Sequence, residues 1–174
     1  MNICLYGSGS RKIDETYTDA AYELGCQMAK RGHTLVFGGG DTGMMGSCVK
    51  GIHDNNGSSI GIAPEWIDNF EPLCKKCGEF IPVDTMDERK NKFLENSDAF
   101  IITPGGIGTL DEFFEILTLK KLKQHDKPII VFNIDNFFNK MFEMLDDMDE
   151  KGFLYKQEEI FKIANSIDEI FEYL

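Results

Sequence analysis

The sequence predicts the α/β class: one open, doubly wound parallel sheet with helices on both faces. Three observations predict it. Strand-like apolar runs alternate with helical periodicity along the 174 residues, a pattern that implies crossover connections and parallel pairing. Three glycine clusters, at 7–9, 38–40 and 105–108, each stand directly after a strand-like run. No linker, internal repeat or low-complexity segment breaks the alternation, so residues 1–174 are expected to form a single domain, long enough to bury a sizeable core.

Taken in order, Asn2-Ile3-Cys4-Leu5-Tyr6 reads as a strand that closes on Gly7-Ser8-Gly9-Ser10. A helix follows at about 14–31, with Tyr17, Ala20, Ala21, Leu24, Met28 and Ala29 along one side and Gly32 as its stop. Thr34–Phe37 is a second strand, a helix spans roughly 43–55, and Ser59–Ala63 is a third strand ending at Pro64. Residues 64–80 look irregular, which in a compact domain points to a binding loop or lid. Phe80-Ile81-Pro82-Val83 is a short strand whose proline suits a sheet edge. Thr85-Met86-Asp87-Glu88 has capping-box spacing and opens a helix to about Asn96. A strand at 99–103, a helix at 109–123 and a strand at 128–132 come next. The remainder is expected to be helical, at about 136–151 and again after the capping box Ser166-Ile167-Asp168-Glu169. Ligands in such sheets bind beyond the carboxyl ends of the strands, so the three glycine clusters should line one crevice.

Bulk properties narrow the partners. A net charge of −12 argues against a general nucleic-acid binder, which would carry a basic face. No apolar run approaches membrane-spanning length, and the chain opens on a strand rather than a signal-like segment. Five scattered cysteines fit reduced thiols in a cytoplasm. Cys74-Lys75-Lys76-Cys77 is a single CxxC without a second ligand pair, so no metal site is expected. His33, His53 and His125 stand in unrelated places and read as structural or exposed. Trp66, in the irregular segment, is read as packing or as a cover for a ligand.

The chemistry concentrates in Thr103-Pro104-Gly105-Gly106-Ile107-Gly108-Thr109-Leu110-Asp111-Glu112. Glycines between a strand and a helix bring bare N–H groups close to a ligand, and the helix start adds its positive dipole end; together these suit a phosphate. Glu112 sits about one turn in, a carboxylate placed beside an anion site, suited to stabilising positive charge or activating water. Asp111 is expected to face solvent, since Leu110, Phe113, Phe114 and Leu117 mark the buried side. Arg89 and Lys90 fall early in their helix, the wrong end for cations by the dipole argument; an arginine fork there can grip a phosphate, carboxylate or purine edge. Two other phosphate loops are excluded. Gly7-Ser8-Gly9-Ser10-Arg11-Lys12 lacks the third glycine of the dinucleotide fingerprint, and Gly38–Met44 lacks the Lys-Ser/Thr of a Walker A loop. No Schiff-base lysine is singled out, which removes the basis for pyridoxal-type decarboxylation, and no cofactor is expected. The helix at 109–123 is apolar on more than one stripe, which predicts a subunit interface.

Gly38-Gly39-Gly40-Asp41-Thr42-Gly43-Met44-Met45-Gly46, Met86-x-x-Arg89-Lys90 and Pro104-Gly105-Gly106-Ile107-Gly108-Thr109-x-x-Glu112 occur in that order. Together with His125-x-Lys127-Pro128 and Glu150-x-Gly152-Phe153, the set closely resembles the LONELY GUY family of phosphoribohydrolases. The resemblance runs from Ile3 to about Phe153. It implies a Rossmann-like nucleotide-binding homodimer that cleaves the N-glycosidic bond of a nucleoside 5'-monophosphate, such as a cytokinin riboside monophosphate or AMP, to a free base and ribose 5-phosphate. Matching positions make Arg89 and Glu112 the catalytic pair, with Glu71, Lys90, Gly105, Gly106, Ile107, Gly108, Thr109 and Thr118 contacting the nucleotide. Where the family usually has tryptophan, glutamine and glycine after Thr118, this chain has Leu119, Lys121 and Lys123, and Ile107 stands where a tyrosine is common; these departures bear on substrate identity. The rival on the same fold is a non-catalytic nucleotide or molybdenum-cofactor carrier, which needs the glycine loop but not the carboxylate.

Overall fold

The computed structural model describes residues 1–70, 72–75, 77–154 and 160–174. Seven parallel strands, β1 (Asn2–Tyr6), β2 (Thr34–Phe37), β3 (Ser58–Pro64), β4 (Glu79–Val83), β5 (Ala99–Ile102), β6 (Ile129–Phe132) and β7 (Lys162–Ala164), form one sheet in the order β4-β3-β2-β1-β5-β6-β7. Six α-helices cover it: α1 (Glu15–Lys30), α2 (Gly43–Asp54), α3 (Met86–Asn96), α4 (Ile107–Lys121), α5 (Asn139–Glu150) and α6 (Ile167–Glu172).

Strand alternation makes two cores. Ile3 and Leu5 of β1 join Leu24, Met28, Met44, Ile52 and Ile170 from α1, α2 and α6 on one face. Cys4 and Tyr6 point the other way, into Phe93, Phe100, Phe113, Ile116 and Leu117 beneath α3 and α4. The first face is drawn tight by glycine: a Cβ on Gly25 of α1 would overlap the Cys48 carbonyl of α2, and one on Gly51 would overlap that of Tyr22. Helices meeting backbone to backbone leave no room for even one methyl.

From β1 the chain winds one way to β4, then crosses to the other side of β1 to build β5, β6 and β7. The connections leaving β1 and β5 therefore diverge, opening the crevice expected at such a switch point. The register Tyr6↔Ile102 brings the two strand ends level. Thr103 then ties them, its backbone N–H and its hydroxyl both donating to Tyr6 O at 2.8 and 2.9 Å.

Two expectations need correction. The chain after residue 132 is not wholly helical: β7 pairs with β6 at the far edge, Val131 opposite Ile163. Three residues at an edge carry too short an alternation to register as a strand. Residues 64–80 are not all irregular either; Glu65–Asn69 is a 3-10 turn, and Leu73 makes an antiparallel bridge to Gly40. The proline-containing β4 does lie at the sheet edge.

Candidate active site

A cavity of about 220 Å³ opens at the switch point, lined by residues from the ends of β1 and β2 and the first turns of α2, α3 and α4. α4 contributes one wall. It begins at Ile107, two residues before the sequence suggested, after the N-cap Gly106, which offers no side-chain cap. Its first intrahelical bond runs from Leu110 N to Gly106 O at 3.1 Å, so the N–H groups of residues 107–109 point out of the helix start without intrahelical acceptors. A Cβ on Gly106 or Gly108 would meet nothing within 4 Å, which leaves that backbone open to close approach. Gly105 has a different task, because a Cβ there would overlap the Thr109 side chain.

Arg89 faces this wall from α3. The helix starts as the capping box predicts: Thr85 Oγ1 accepts from Glu88 N at 3.1 Å, and the Glu88 carboxylate accepts from Asp84 N at 2.9 Å. That places Arg89 one turn in and buries it to 6% exposure. Its Nε donates to Ile62 O at 3.0 Å and its Nη2 to Gly38 O at 3.1 Å. Its Cζ lies 5.3 Å over the Phe93 ring. Two carbonyls from adjacent strand ends thus fix the guanidinium plane, and Nη1 comes within 3.9 Å of Glu112 Oε1. Gly38 is required for this, since a Cβ there would overlap Arg89 Nη2.

Glu112 is the sixth residue of α4, hence in the second turn, where the dipole has largely faded. The charge that faces it is the Arg89 guanidinium, with both side chains largely buried. Asp111, expected to face solvent, does so, with its side chain 60% exposed at the cavity rim.

Other predicted residues fall as follows. Thr109 is buried and lines the cavity. Ile107, between the lining residues Gly106 and Gly108, is 83% exposed. Lys90 is held by Glu115 and, at 3.4 Å, by Asp111, and the bond to Glu115 keeps its ammonium group protonated above the ordinary lysine range. Thr118 lies further along α4, exposed, its hydroxyl donating to Phe114 O at 2.7 Å. Glu71 lies outside the described residues. Of the second glycine cluster only Gly38 reaches the cavity; Leu73 and Phe80 crowd the space beside Gly39. The first glycine cluster lines the cavity as expected, through Gly7, Ser8 and Gly9, whereas Tyr6, Met45 and Met86 also line it without having been singled out. The two methionines carried a visible signal, since they belong to the same motifs as Gly38 and Arg89.

The histidines pack rather than act. His33 stacks on Phe171, His53 Nε2 is 2.9 Å from Ser59 Oγ, and His125 Nε2 is 2.8 Å from Ile116 O. Trp66 donates to Asp84 O at 3.3 Å. Among the described residues no cluster of ligands could hold a metal ion, and no helix is long and apolar enough to cross a membrane.

The chain is similar to known proteins. A family model described as "Possible lysine decarboxylase" matches residues 45–174. Cytokinin riboside 5'-monophosphate phosphoribohydrolase LOG3 of Arabidopsis thaliana is 38% identical over 152 residues, 87% of this chain and 71% of that protein. LOG5 of the same plant is 35% identical over 173 residues, 99% of this chain and 76% of that one. Among solved structures, the molybdenum cofactor binding protein of Rippkaea orientalis superposes with a TM-score of 0.74 at 26% identity, covering 98% of this chain and 93% of its own. A match of the family model over well over half the chain, joined by relatives of this identity, establishes that the chain belongs to the LONELY GUY family, the group described as possible lysine decarboxylases.

Proposed function

We propose that this protein hydrolyses the N-glycosidic bond of a nucleoside 5'-monophosphate, a cytokinin riboside monophosphate or AMP, releasing the free base and ribose 5-phosphate. One observation carries the reading: Arg89 and Glu112 meet at 3.9 Å in a cavity whose wall is the open glycine start of α4. The names of the relatives, phosphoribohydrolases all, support it.

The amides of residues 107–109 hold the 5'-phosphate, and that remote binding energy positions the sugar. Glu112 faces the ribose C1' carbon. As the C1'–N bond breaks, its electron pair leaves with the base, and the carboxylate stabilises the oxocarbenium-like sugar. Water bonds to C1'; its proton passes to Glu112 and through solvent to the departing base. Arg89 binds the phosphate or the base as a fixed positive charge, since a guanidinium does not give up its proton. Lys90, held at the rim, adds a second cation to the nucleotide side.

A cofactor carrier is the competing reading, favoured by the likeness to the cofactor-binding protein. A carrier has no use for a carboxylate locked against an arginine, so the pair favours the enzyme. Purified protein should release adenine from AMP but not from adenosine; equal release from both would remove the phosphate cradle from the mechanism. We further place the enzyme in the cytoplasm, in keeping with its free cysteines. We also assign it a homodimeric state through α4, where Ile107 at its start and Leu122 just past its end are 83% and 62% exposed. Light scattering should give twice the chain mass, and a monomer would refute that interface.

A further inference from the structure

Eight methionines occur in the chain, and the sulfur of one of them touches Arg89. Met86 is the first residue of α3 and Arg89 the fourth, a spacing that puts both side chains on one face. Met86 Sδ lies 4.0 Å from Arg89 Nη1. That nitrogen faces Glu112 at 3.9 Å, while Nε and Nη2 are tied to Ile62 O and Gly38 O. A thioether is a weak acceptor, and 4.0 Å is a long reach even for sulfur. Nη1 therefore keeps a hydrogen to offer a ligand. The same gap has room for an oxygen carried on that sulfur, which would stand within the roughly 2.7–3.2 Å of an N–H···O bond.

Accessibility singles out the same residue. Met28 and Met44 are fully buried, and Met45, the other methionine lining the cavity, is 7% exposed. Met86 is 37% exposed. Met1, Met141, Met144 and Met148 do not line the cavity.

Resting on the hydrolase reading for its effect on turnover, we propose that Met86 is a modification site, where a peroxide oxidises the thioether to the sulfoxide and closes the active site. A sulfur lone pair attacks one oxygen of hydrogen peroxide, the O–O bond breaks and an S–O bond forms. The second oxygen leaves as water, two electrons having passed from sulfur to the peroxide. An apolar side chain thus becomes a polar one. Its new oxygen takes the Nη1 hydrogen that a nucleotide would use. Two main-chain carbonyls fix the guanidinium plane, so Arg89 cannot turn to serve both partners. A thiol-dependent methionine sulfoxide reductase returns the thioether, with a disulfide and water as the other products. The block is reversible.

The test exposes wild type and Met86→Leu, which keeps an apolar side chain of similar size without the sulfur, to hydrogen peroxide. Each protein is compared with its own untreated sample, so any effect of the substitution itself cancels. In the wild type, peptide mass spectrometry should find one added oxygen on Met86. Base release from AMP should fall roughly 10- to 100-fold, the scale of misplacing a positioned group, and the reductase should restore it. Met86→Leu should keep its activity through the same treatment. Equal loss in both proteins would assign the effect to another sulfur, such as the half-buried Cys77, and overturn the proposal. An unmodified Met86, or full activity with Met86 oxidised, overturns it as well. A second readout needs no turnover. The chain has three arginines. In 15N-labelled protein, the guanidinium signal of Arg89 should shift on oxidation of the wild type and stay fixed in Met86→Leu. A fixed signal with Met86 oxidised also overturns the proposal. If the wild type releases no base from any nucleoside monophosphate, the hydrolase reading fails, while that signal still decides whether the sulfoxide engages Arg89.

Discussion

Two glycine-rich junctions join strand to helix in this protein, and they serve opposite ends. Residues 38–46 lead from β2 into α2; residues 104–109 lead from β5 into α4. At the first, protein atoms occupy the room the glycines leave. The Arg89 guanidinium sits on Gly38, the Asp41 backbone sits on Gly46, and Gly43, at φ +62°, would bring a Cβ within 2.5 Å of Ser8 O. Even the amides heading α2 are used, Met44 N donating to Ser8 O at 2.7 Å. At the second, Gly106 and Gly108 face open space and the helix start is uncapped. Glycine content alone therefore does not mark a ligand loop; what stands opposite the missing side chain does.

The largest expected effect falls on the open side. Glu112→Gln keeps the shape of α4 and its amides while removing the carboxylate. Turnover of AMP should drop on the order of 10³-fold with AMP affinity nearly intact, a loss in the range of a positioned acid-base group. Calorimetric titration beside a base-release assay separates the two. Retained turnover would take Glu112 out of the mechanism and reduce the open junction to a binding site.

Gly38→Ala probes where the two junctions meet, because the closed one seats the arginine that serves the open one. The added methyl must displace Nη2 and with it the hydrogen bond to Gly38 O. A misplaced guanidinium should cost about 100-fold in kcat/KM, and overpacking about 1–3 kcal/mol of stability. Wild-type activity in this variant would show that the fixed plane of Arg89 does not matter.

A paired substitution then sets the junctions against each other. Gly43→Ala should destabilise by about 1–3 kcal/mol, through its positive φ and its clash with Ser8 O. Gly106→Ala, with ordinary backbone angles and no neighbour, should leave stability unchanged or raise it by about 0.5 kcal/mol. The kinetic order should reverse: KM for AMP rises in Gly106→Ala and stays put in Gly43→Ala once folded protein is normalised. Thermal melts and KM values on both proteins check it, and equal behaviour would dissolve the distinction.

Much of this was legible in the residues. Long periodic stretches such as Glu15–Lys30 and the capping box at Thr85 announce their helices, and Gly105–Glu112 announces a strand-to-helix junction with an open backbone, because these features act locally. Arg89 could be singled out by its place in the chain, but its partners Ile62 and Gly38 lie 27 and 51 residues away. No local pattern reveals that a guanidinium will rest on a glycine. Tyr6 was invisible for the same reason: within β1 it reads as another strand aromatic, and only the crossing of the chain to β5 makes it part of the cavity lining. β7 escaped because three residues paired with a strand far back in the chain, Val131 opposite Ile163, carry no period of their own.

The smallest effect concerns Lys90, the cation fixed beside the open junction. Its bond to Glu115 raises its proton affinity above the ordinary lysine value. A raised folded value means the pair's stabilisation is fully present below the unfolded value, about 10.4, and is lost as pH climbs through the higher folded one. Glu115→Gln removes the pair. With Glu115 about one-third exposed, screening keeps the cost under about 1 kcal/mol. Melting temperatures of the two proteins should therefore differ by a small, constant gap from neutral pH to about pH 10 and converge above it. A gap that persists at higher pH would mean that Glu115 stabilises α4 by some route other than Lys90, leaving that ammonium group available to the nucleotide.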